Sequence, residues 1–202
     1  MPKEIIAVDA DDTIFDEDTA VRLFHNEKYG TRHTPEDYLL PGKYGSFWKH
    51  IWDTDKTETL RRYEEFLVYK FGHSLMPLTG AIEVLKELKR HYELVIITSR
   101  DERGIAMTHK DLGEHYPGIF KDVHFVPLWS TGKKATKAQI SQAIGAKYLI
   151  DDSFEHCILA AEAGIEALVF GVYGWNQTQN LQPHMNRVRN WAEVKKFFNE
   201  RS

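Results

Sequence analysis

The sequence predicts an α/β fold in which a doubly wound parallel sheet carries a small helical insertion after its first strand. Short apolar runs rich in β-branched residues recur at positions 5–8, 94–97, 123–126, 148–150 and 167–170. Runs of this length are typical of strands that are covered on both faces. Segments with helical apolar spacing separate the later runs, so right-handed crossovers would place helices on both faces of the sheet.

The long segment after the first apolar run breaks this alternation. Residues 16–78 show no convincing strand pattern, although helical patterns occur around residues 20–29, 46–52 and 57–71. A segment of this length is too long for an ordinary connection between a strand and a helix. We therefore predict two domains: an α/β core of residues 1–15 and 79–202 and a helical cap of residues 16–78, called the inserted segment below.

The last segment of the chain has the pattern of an amphipathic helix. Residues 187–200 carry Val188, Trp191, Val194 and Phe198 at helical spacing. Apolar residues at these intervals lie on one face of a helix. We expect this helix to pack against the core.

Composition and charge limit the classes of partner. The formal net charge is −4, and no run of Lys and Arg is long enough to follow a nucleic-acid polymer or an anionic membrane. The apolar runs are too short to span a bilayer, and the first run is too short for the hydrophobic region of a signal peptide. A single cysteine, Cys157, excludes an intrachain disulfide. These features indicate a cytoplasmic protein with a small ligand, and they leave its oligomeric state open.

Two acidic pairs follow apolar runs of the predicted sheet. Asp9 and Asp11 come directly after residues 5–8, and their i, i+2 spacing lets both side chains face one reacting centre. Asp151 and Asp152 follow the fourth run. Because ligands bind beyond the carboxyl ends of the strands in open α/β sheets, we expect both pairs to belong to one site.

A hydroxyl and a lysine complete the pattern. Thr98 follows the second apolar run, and Lys137 opens the predicted helix that precedes the second acidic pair. Lys133 and Lys134 lie close to Lys137 in sequence, so the spacing alone leaves open which lysine would hold a phosphate. Carboxylates, a hydroxyl and a lysine together can supply a nucleophile, metal ligands and donors to phosphoryl oxygens.

In this order, the residues resemble the four motifs of the haloacid dehalogenase-like phosphatases, and the resemblance covers nearly the whole chain. It implies a Rossmann-like core, a helical cap and hydrolysis of a small phosphorylated metabolite through an aspartyl-phosphate. By this resemblance, Asp9 is the nucleophile and Asp11 is the general acid and base. Thr98 and Lys137 are then the phosphate-binding residues.

The same resemblance implies a Mg²⁺ cofactor. Its ligands would be the carboxylates of Asp9 and Asp151 and the backbone carbonyl of Asp11, and Asp152 would orient them. Oxygen ligands of this kind suit Mg²⁺. Dehalogenases of the superfamily generally lack an aspartate at the position of Asp11, so its presence disfavours carbon–halogen chemistry.

The inserted segment carries the candidate substrate contacts. Trp48 and Trp52 belong to an aromatic cluster at helical spacing in residues 44–52. This cluster would either pack within the cap or stack on a flat group such as a nucleobase. Residues 150–156 and 170–176 are similar to 5′-nucleotidase-like members, which favours a nucleoside monophosphate as the substrate.

Three other functions fit parts of the pattern. A phosphotransferase or mutase would use the same motifs, and a non-hydrolytic phosphoryl-binding protein could share the fold. A signalling receiver domain also combines acidic residues, a hydroxyl and a lysine on a parallel sheet. Its acceptor aspartate lies on the third strand, however, and it lacks a long insertion. The position of Asp9 and the inserted segment therefore argue against a receiver domain.

Overall fold

The computed structural model describes residues 2–42, 44–126, 135–177 and 180–201, with the backbone alone for residues 44–47. The strands are β1 Ile5–Val8, β2 Glu93–Thr98, β3 Asp122–Phe125, β4 Ala146–Asp151, β5 Glu166–Phe170 and β6 Met185–Val188. They form one sheet with the order β3-β2-β1-β4-β5-β6, in which all neighbouring strands are parallel. This sheet confirms the predicted α/β fold class.

Helices cover both faces of the sheet. The helices are α1 Glu17–Tyr29, α2 Tyr44–Ile51, α3 Lys56–Lys70, α4 Ala81–Leu88, α5 Ile105–His115, α6 Lys137–Ala143, α7 Phe154–Glu162 and α8 Trp191–Asn199. Alternate residues of β1 face opposite sides, as expected for a strand. Ile6 and Val8 pack in the apolar cluster that contains residues of α4, α5 and α8. Ala7 packs in the cluster that contains residues of α6 and α7.

The C-terminal segment corrects the predicted helix of residues 187–200. Met185–Val188 forms strand β6, and the helix begins only at Trp191. The side chain of Asn190 accepts a hydrogen bond from the backbone N–H of Glu193, and this cap fixes the start of the helix. Val188 and Trp191 are both buried, so the predicted packing against the core is present. The first two residues of the predicted helix, Arg187 and Val188, belong instead to strand β6.

Between β1 and α4, the described residues contain only helices and isolated bridges. The chain leaves the core and returns to it at one place, because residues 14–16 hydrogen-bond to residues 76–78. The backbone N–H of Asp16 donates to the carbonyl of Met76 at 2.9 Å, and that of Leu78 donates to the carbonyl of Ile14 at 2.8 Å. The boundaries predicted for residues 16–78 lie close to these bonds, while the division into two domains stays a prediction.

Three aromatic side chains, of which Trp191 and Tyr116 are buried and Tyr173 is half-buried, hold the loop after β1. The side-chain donors of Tyr173, Trp191 and Tyr116 bond to the consecutive carbonyls of residues 12, 13 and 14, at 2.8, 2.9 and 2.6 Å respectively. Within this loop, Asp12 has a φ of 53°, a conformation that few residues with a β-carbon adopt. The three aromatic donors therefore fix a loop that the backbone alone would not favour.

His25 links the helices of the inserted segment and makes its stability sensitive to pH. Its ring stacks on Trp52 at 4.6 Å, and Nε2 accepts a hydrogen bond from Arg62 at 3.0 Å. The other ring nitrogen, Nδ1, lies 2.9 Å from the hydroxyl of Thr31. Burial, with Arg62 nearby, lowers the pKa of His25 to about 4. The folded protein thus keeps this ring neutral at a pH where the unfolded chain would protonate it.

We predict that this ring destabilises the protein in mild acid. Its contribution to stability is fully present above the unfolded pKa of 6.5 and is lost as the pH falls from there towards 4. At pH 5 the loss is about 2 kcal/mol. Urea unfolding followed by tryptophan fluorescence should show a smaller decrease between pH 7 and 5 in His25→Gln than in the wild type. His50 is exposed, so His50→Gln is the control. An equal decrease of the unfolding free energy between pH 7 and 5 in all three proteins would contradict the prediction.

Candidate active site

The predicted site residues lie where the strand order reverses. β1 is flanked by β2 and β4, and the chain extends from β1 to β3 in one direction and from β4 to β6 in the other. Asp9 follows β1, and its backbone N–H donates to the carbonyl of Ile150 at 2.9 Å. Thr98 ends β2 and Asp151 ends β4. This edge is the usual ligand-binding position of a doubly wound sheet.

Lys137 connects the two acidic strand ends. It is the first residue of α6, whose start is fixed by a capping box between Thr136 and Gln139. The buried Nζ atom lies 2.7 Å from Oδ1 of Asp9 and 2.8 Å from Oδ2 of Asp151. A lysine can be buried only when its charge is compensated, and these two carboxylates compensate it.

The two carboxylates that share Lys137 differ in their pKa values. Burial raises the pKa of Asp9 to about 6; Lys137 opposes this shift and Asp151 adds to it. Burial acts in the same direction on Asp151, but there Lys137 and His156 prevail and hold its pKa below the usual range. The nearest ring nitrogen of His156 lies 3.2 Å from Oδ1 of Asp151. Asp151 is thus firmly ionised, whereas Asp9 carries a charge that its surroundings compensate less well.

Asp9, Asp151 and Asp152 form a compact group of buried carboxylates. One oxygen from each lies within 4.8 Å of the others. Burial, together with Asp151 and Asp9, raises the pKa of Asp152 well above its usual range. Trp175 donates from Nε1 to Oδ2 of Asp152 at 2.7 Å and so fixes this side chain. Three convergent carboxylate oxygens suit a hard divalent cation, which would offset their mutual repulsion.

Asp11 lies in a different electrostatic setting. Arg100 donates from Nη2 to Oδ1 of Asp11 at 2.6 Å, and Lys70 donates to Oδ2 at 2.7 Å. Burial alone would raise the pKa of Asp11, but the charges of Arg100 and Lys70 hold it well below its usual range. Arg100 is itself buried, and its Nη1 donates to the hydroxyl of Thr108 at 3.0 Å.

Lys70 also pairs with a second carboxylate, that of Glu17, which lies in the inserted segment. Its Nζ lies 2.6 Å from Oε2 of Glu17, and Oε1 of Glu17 accepts a hydrogen bond from the hydroxyl of Tyr63 at 3.2 Å. Burial, with Asp11 nearby, raises the pKa of Glu17 to about 7, while Lys70 opposes this shift. Glu17 is the first residue of α1 and Lys70 is the last residue of α3. This buried pair therefore joins the first helix of the inserted segment to its last described helix.

A cavity of about 370 Å³ opens beside these groups. Its core wall includes Asp9, Asp11 and Lys137, and the inserted segment contributes Trp48 and Tyr63 among others. The cavity therefore combines charged groups on one wall with aromatic rings on another. A pocket of this size accommodates a small organic molecule, whose polar end would meet the charged wall.

Comparison with known proteins identifies the family of this chain. The family described as 5′ nucleotidase, deoxy (pyrimidine), cytosolic type C protein matches residues 3–201. The chain belongs to this nucleotidase family. Like the haloacid dehalogenase-like proteins that its motifs resemble, this member of the type C nucleotidase family is a hydrolase of the phosphatase class. No curated protein matches the chain significantly.

Solved structures share the fold of this type C nucleotidase family member. A predicted phosphatase from Clostridium acetobutylicum has a TM-score of 0.66 at 16% identity, covering 99% of this chain and 100% of its own. A haloacid dehalogenase-like hydrolase from Streptococcus pneumoniae has a TM-score of 0.63 at 18% identity, covering 97% and 98%. A magnesium-bound protein of the same class from Bacillus subtilis has a TM-score of 0.61 at 16% identity, covering 98% and 100%.

In the described part of this family member, no helix is both long and apolar enough to cross a membrane.

The structure brings most of the predicted residues together. Asp9, Asp11 and Lys137 line one cavity, and Asp151 contacts Lys137. Thr98 is buried at the end of β2, where its hydroxyl accepts a hydrogen bond from the backbone N–H of Arg100 at 3.3 Å. The alternative lysines at positions 133 and 134 lie outside the described residues. The catalytic and phosphate-binding roles of these residues stay predictions.

The two predicted substrate tryptophans occupy different positions. Trp48 lines the cavity, with its ring centre 6.0 Å from that of Trp175 and 6.2 Å from that of Tyr63. Trp52 is buried within the inserted segment, where its Nε1 donates to the hydroxyl of Tyr38 at 3.0 Å. It is not among the described residues that line the cavity. Trp48 is therefore the better candidate for a contact with substrate.

The sequence analysis did not predict the residues of the ion-pair group around Asp11, namely Arg100, Lys70 and Glu17. Arg100 gave no stronger indication of a substrate role than of a solvated one, and Lys70 and Glu17 were not singled out. Arg100 lies two positions after Thr98 and could have been included on that ground. Lys70 and Glu17 gave no such signal, since an acid at the start of a helix and a base at its end are ordinary dipole-favoured positions.

Proposed function

We propose that this protein hydrolyses nucleoside monophosphates in a magnesium-dependent reaction in which Asp9 is the nucleophile. The observation that carries the proposal is the buried Asp9 carboxylate, which contacts Lys137 and lines a cavity beside Asp11. A nucleophile, a candidate proton carrier and a cation thus surround one small volume. Membership of the nucleotidase family supports the choice of a nucleoside monophosphate.

In the first step, a carboxylate oxygen of Asp9 attacks phosphorus and forms an aspartyl-phosphate. The bond from phosphorus to the ester oxygen breaks, and this oxygen takes a proton from Asp11. The ion pairs of Asp11 with Arg100 and Lys70 favour its ionised form. The acid step therefore requires the negative phosphoryl group to draw these cations away from Asp11, so that Asp11 takes up a proton from bulk water before the ester bond breaks. Forming the covalent intermediate divides one difficult hydrolysis into two easier steps.

In the second step, water attacks the phosphorus of the aspartyl-phosphate and regenerates Asp9. Asp11, now ionised, takes the proton of the attacking water, and inorganic phosphate leaves. The ion pairs that oppose the acid step favour this base step. Lys137 would stabilise the phosphoryl oxygens from its position beside Asp9, and the hydroxyl of Thr98 would do so from the end of β2.

The carboxylates present fit the proposed metal. Asp9, Asp151 and Asp152 would supply oxygen ligands, because their oxygens converge and all three side chains are buried. Asp152 was expected only to orient the metal ligands, but the position of its oxygen supports a role as a ligand itself. The backbone carbonyl of Asp11 remains a predicted further ligand. When bound, Mg²⁺ would offset the negative charge of this group and of the phosphoryl oxygens.

Trp48 is the proposed contact for the nucleobase, and it gives a prediction about substrate choice. Trp48→Ala is expected to lower kcat/KM for a nucleoside monophosphate by about ten- to a hundredfold, since stacking of one base contributes about 1–3 kcal/mol. Inhibition by inorganic phosphate should stay unchanged, because phosphate has no ring to stack. Steady-state kinetics of the variant and the wild type measure both quantities. An equal loss for a sugar monophosphate, which has no flat ring, and for the nucleotide would contradict this role.

The proposed function is tested by measuring phosphate release from purified protein with magnesium or with a chelator. The substrates are p-nitrophenyl phosphate and a panel of nucleoside and sugar monophosphates. We expect magnesium-dependent release that is fastest with a nucleoside monophosphate. Release only when an acceptor alcohol is present would indicate a phosphotransferase instead. Binding of phosphate without release from any ester would indicate a non-hydrolytic binding protein.

A further inference from the structure

The inserted segment contributes a buried cation to the cavity. Lys70, the last residue of α3, has a side chain that is only 4% exposed, and it lines the cavity beside Asp11. Its Nζ atom donates to Oδ2 of Asp11 at 2.7 Å and to Oε2 of Glu17 at 2.6 Å. An ammonium group is costly to bury. The packing of α3 alone does not explain why a lysine, and not an apolar residue, occupies this buried position.

The two oxygens of Asp11 are held by cations from different parts of the chain. Arg100 makes its shortest bond, 2.6 Å, to Oδ1, and its Nη1 is tied to Thr108 in the core. The ring of Phe15 lies 5.3 Å from the same guanidinium group. Lys70 holds Oδ2 from the inserted segment. The core thus fixes one side of Asp11, and Lys70 fixes the other.

We propose that Lys70 acts on the leaving-group side of the reaction. This inference rests on the proposed function, in which Asp11 gives a proton to the leaving oxygen. An oxygen within hydrogen-bonding distance of Oδ2 of Asp11 would also lie close to the Nζ atom of Lys70. Lys70 would place positive charge where negative charge develops as the ester bond breaks, once the phosphoryl group has drawn it away from Oδ2 of Asp11.

The step remains balanced without consumption of Lys70. The electron pair of the breaking bond between phosphorus and oxygen goes to the leaving oxygen, which takes its proton from Asp11. Lys70 keeps its three protons throughout and acts by its charge and by its hydrogen bonds. Glu17 is a positioning residue, because it contacts Lys70 and fixes the direction of the ammonium group.

The residue that follows Lys70 makes a close contact with Gly104. Phe71, the next residue, packs directly on Gly104, which precedes α5. A β-carbon added at Gly104 would lie 2.5 Å from Cε1 of Phe71. The backbone of Gly104 has a φ of −86° and a ψ of −8°, so alanine could adopt this conformation. Gly104→Ala should therefore displace Phe71, and with it Lys70, without straining its own backbone.

The test compares two esters of similar shape that differ in the quality of their leaving group. Phenyl phosphate needs more help at the leaving oxygen than p-nitrophenyl phosphate, whose phenolate is a stable anion. In Lys70→Met, we expect kcat/KM to fall by about a hundredfold for phenyl phosphate and by about tenfold or less for p-nitrophenyl phosphate. Glu17→Gln should shift the ratio in the same direction by a smaller factor. A merely structural role would lower both values equally.

Gly104→Ala keeps the inference testable if Lys70→Met fails to fold. We expect the variant to change the same ratio by about three- to tenfold, since small displacements of a catalytic group are costly. Its matched control is Gly113→Ala in α5, where an added β-carbon would have no atom within 4 Å. The control should keep the wild-type ratio, and thermal unfolding of each variant shows that it is folded.

The outcomes separate this inference from the proposed function. A changed ratio in Lys70→Met or Gly104→Ala, with an unchanged ratio in Gly113→Ala, supports the role of Lys70. An unchanged ratio in folded, active variants overturns that role and leaves the phosphatase proposal standing. If the wild type releases no phosphate from any ester, the proposed function and the inference built on it both fail.

Discussion

Asp9→Asn is expected to abolish phosphate release, with a loss of at least about a thousandfold in kcat/KM. The amide of asparagine is a poor nucleophile, so the aspartyl-phosphate cannot form. Lys137 keeps Asp151 as its partner, because that carboxylate lies 2.8 Å away. The measurement is steady-state release of phosphate from the best substrate of the panel. Asp122→Asn, an exposed change at the start of β3, is the matched control.

The stability of Asp9→Asn should distinguish loss of chemistry from loss of fold. Burial and the neighbouring Asp151 raise the pKa of Asp9, which means that its negative charge is unfavourable in the folded protein. Removing the charge relieves this repulsion. The thermal unfolding midpoint of the metal-free variant should therefore equal or exceed that of the wild type. Activity equal to that of Asp122→Asn would refute Asp9 as the nucleophile.

Lys137→Met has the second-largest expected effect, and it should lower both activity and stability. The buried ammonium of Lys137 compensates Asp9 and Asp151, and its removal leaves two buried carboxylates without this partner. Loss of one member of a buried pair costs about 3–5 kcal/mol of unfolding free energy. Loss of a donor to the phosphoryl oxygens should lower kcat by about a hundred- to a thousandfold.

Urea unfolding and steady-state kinetics measure these two effects. Lys147→Met on β4 is the control, since Lys147 is exposed. Magnesium should restore part of the stability of Lys137→Met by binding to the carboxylates that have lost their compensating cation, while the loss of activity persists. If Lys137→Met is as stable and as active as Lys147→Met, the compensating role assigned to Lys137 is wrong.

The sheet could be predicted from the sequence where local pattern and burial agree. The run at residues 5–8 coincides with β1, because every one of its residues is apolar and the strand lies in the centre of the sheet. β6 escaped prediction because Asn186 and Arg187 interrupt its apolar pattern. As the last strand in the sheet order, it pairs only with β5 among the described strands, so polar residues are tolerated there.

The same distinction between local sequence and tertiary packing applies to the candidate site. Asp9, Asp11 and Asp151 follow apolar strands directly, so their place at the sheet edge could be inferred from local sequence. The contacts of Lys70 join residues that are 59 and 53 positions apart. They depend on how the inserted segment packs on the core, and helical spacing carries no information about that. For the same reason, spacing could not tell which of Trp48 and Trp52 faces the cavity.

The loop that follows Asp9, the proposed nucleophile, depends on parts of the chain that are made much later. Its consecutive carbonyls at residues 12, 13 and 14 are bound by Tyr173, Trp191 and Tyr116. During synthesis, Asp9 and Asp11 would emerge from the ribosome early, whereas Trp191 would emerge 178 residues after Thr13, whose carbonyl it binds. A nascent chain that ends before Trp191 would thus carry the proposed catalytic aspartates on an unfixed loop. Catalytic competence would be acquired at the end of folding.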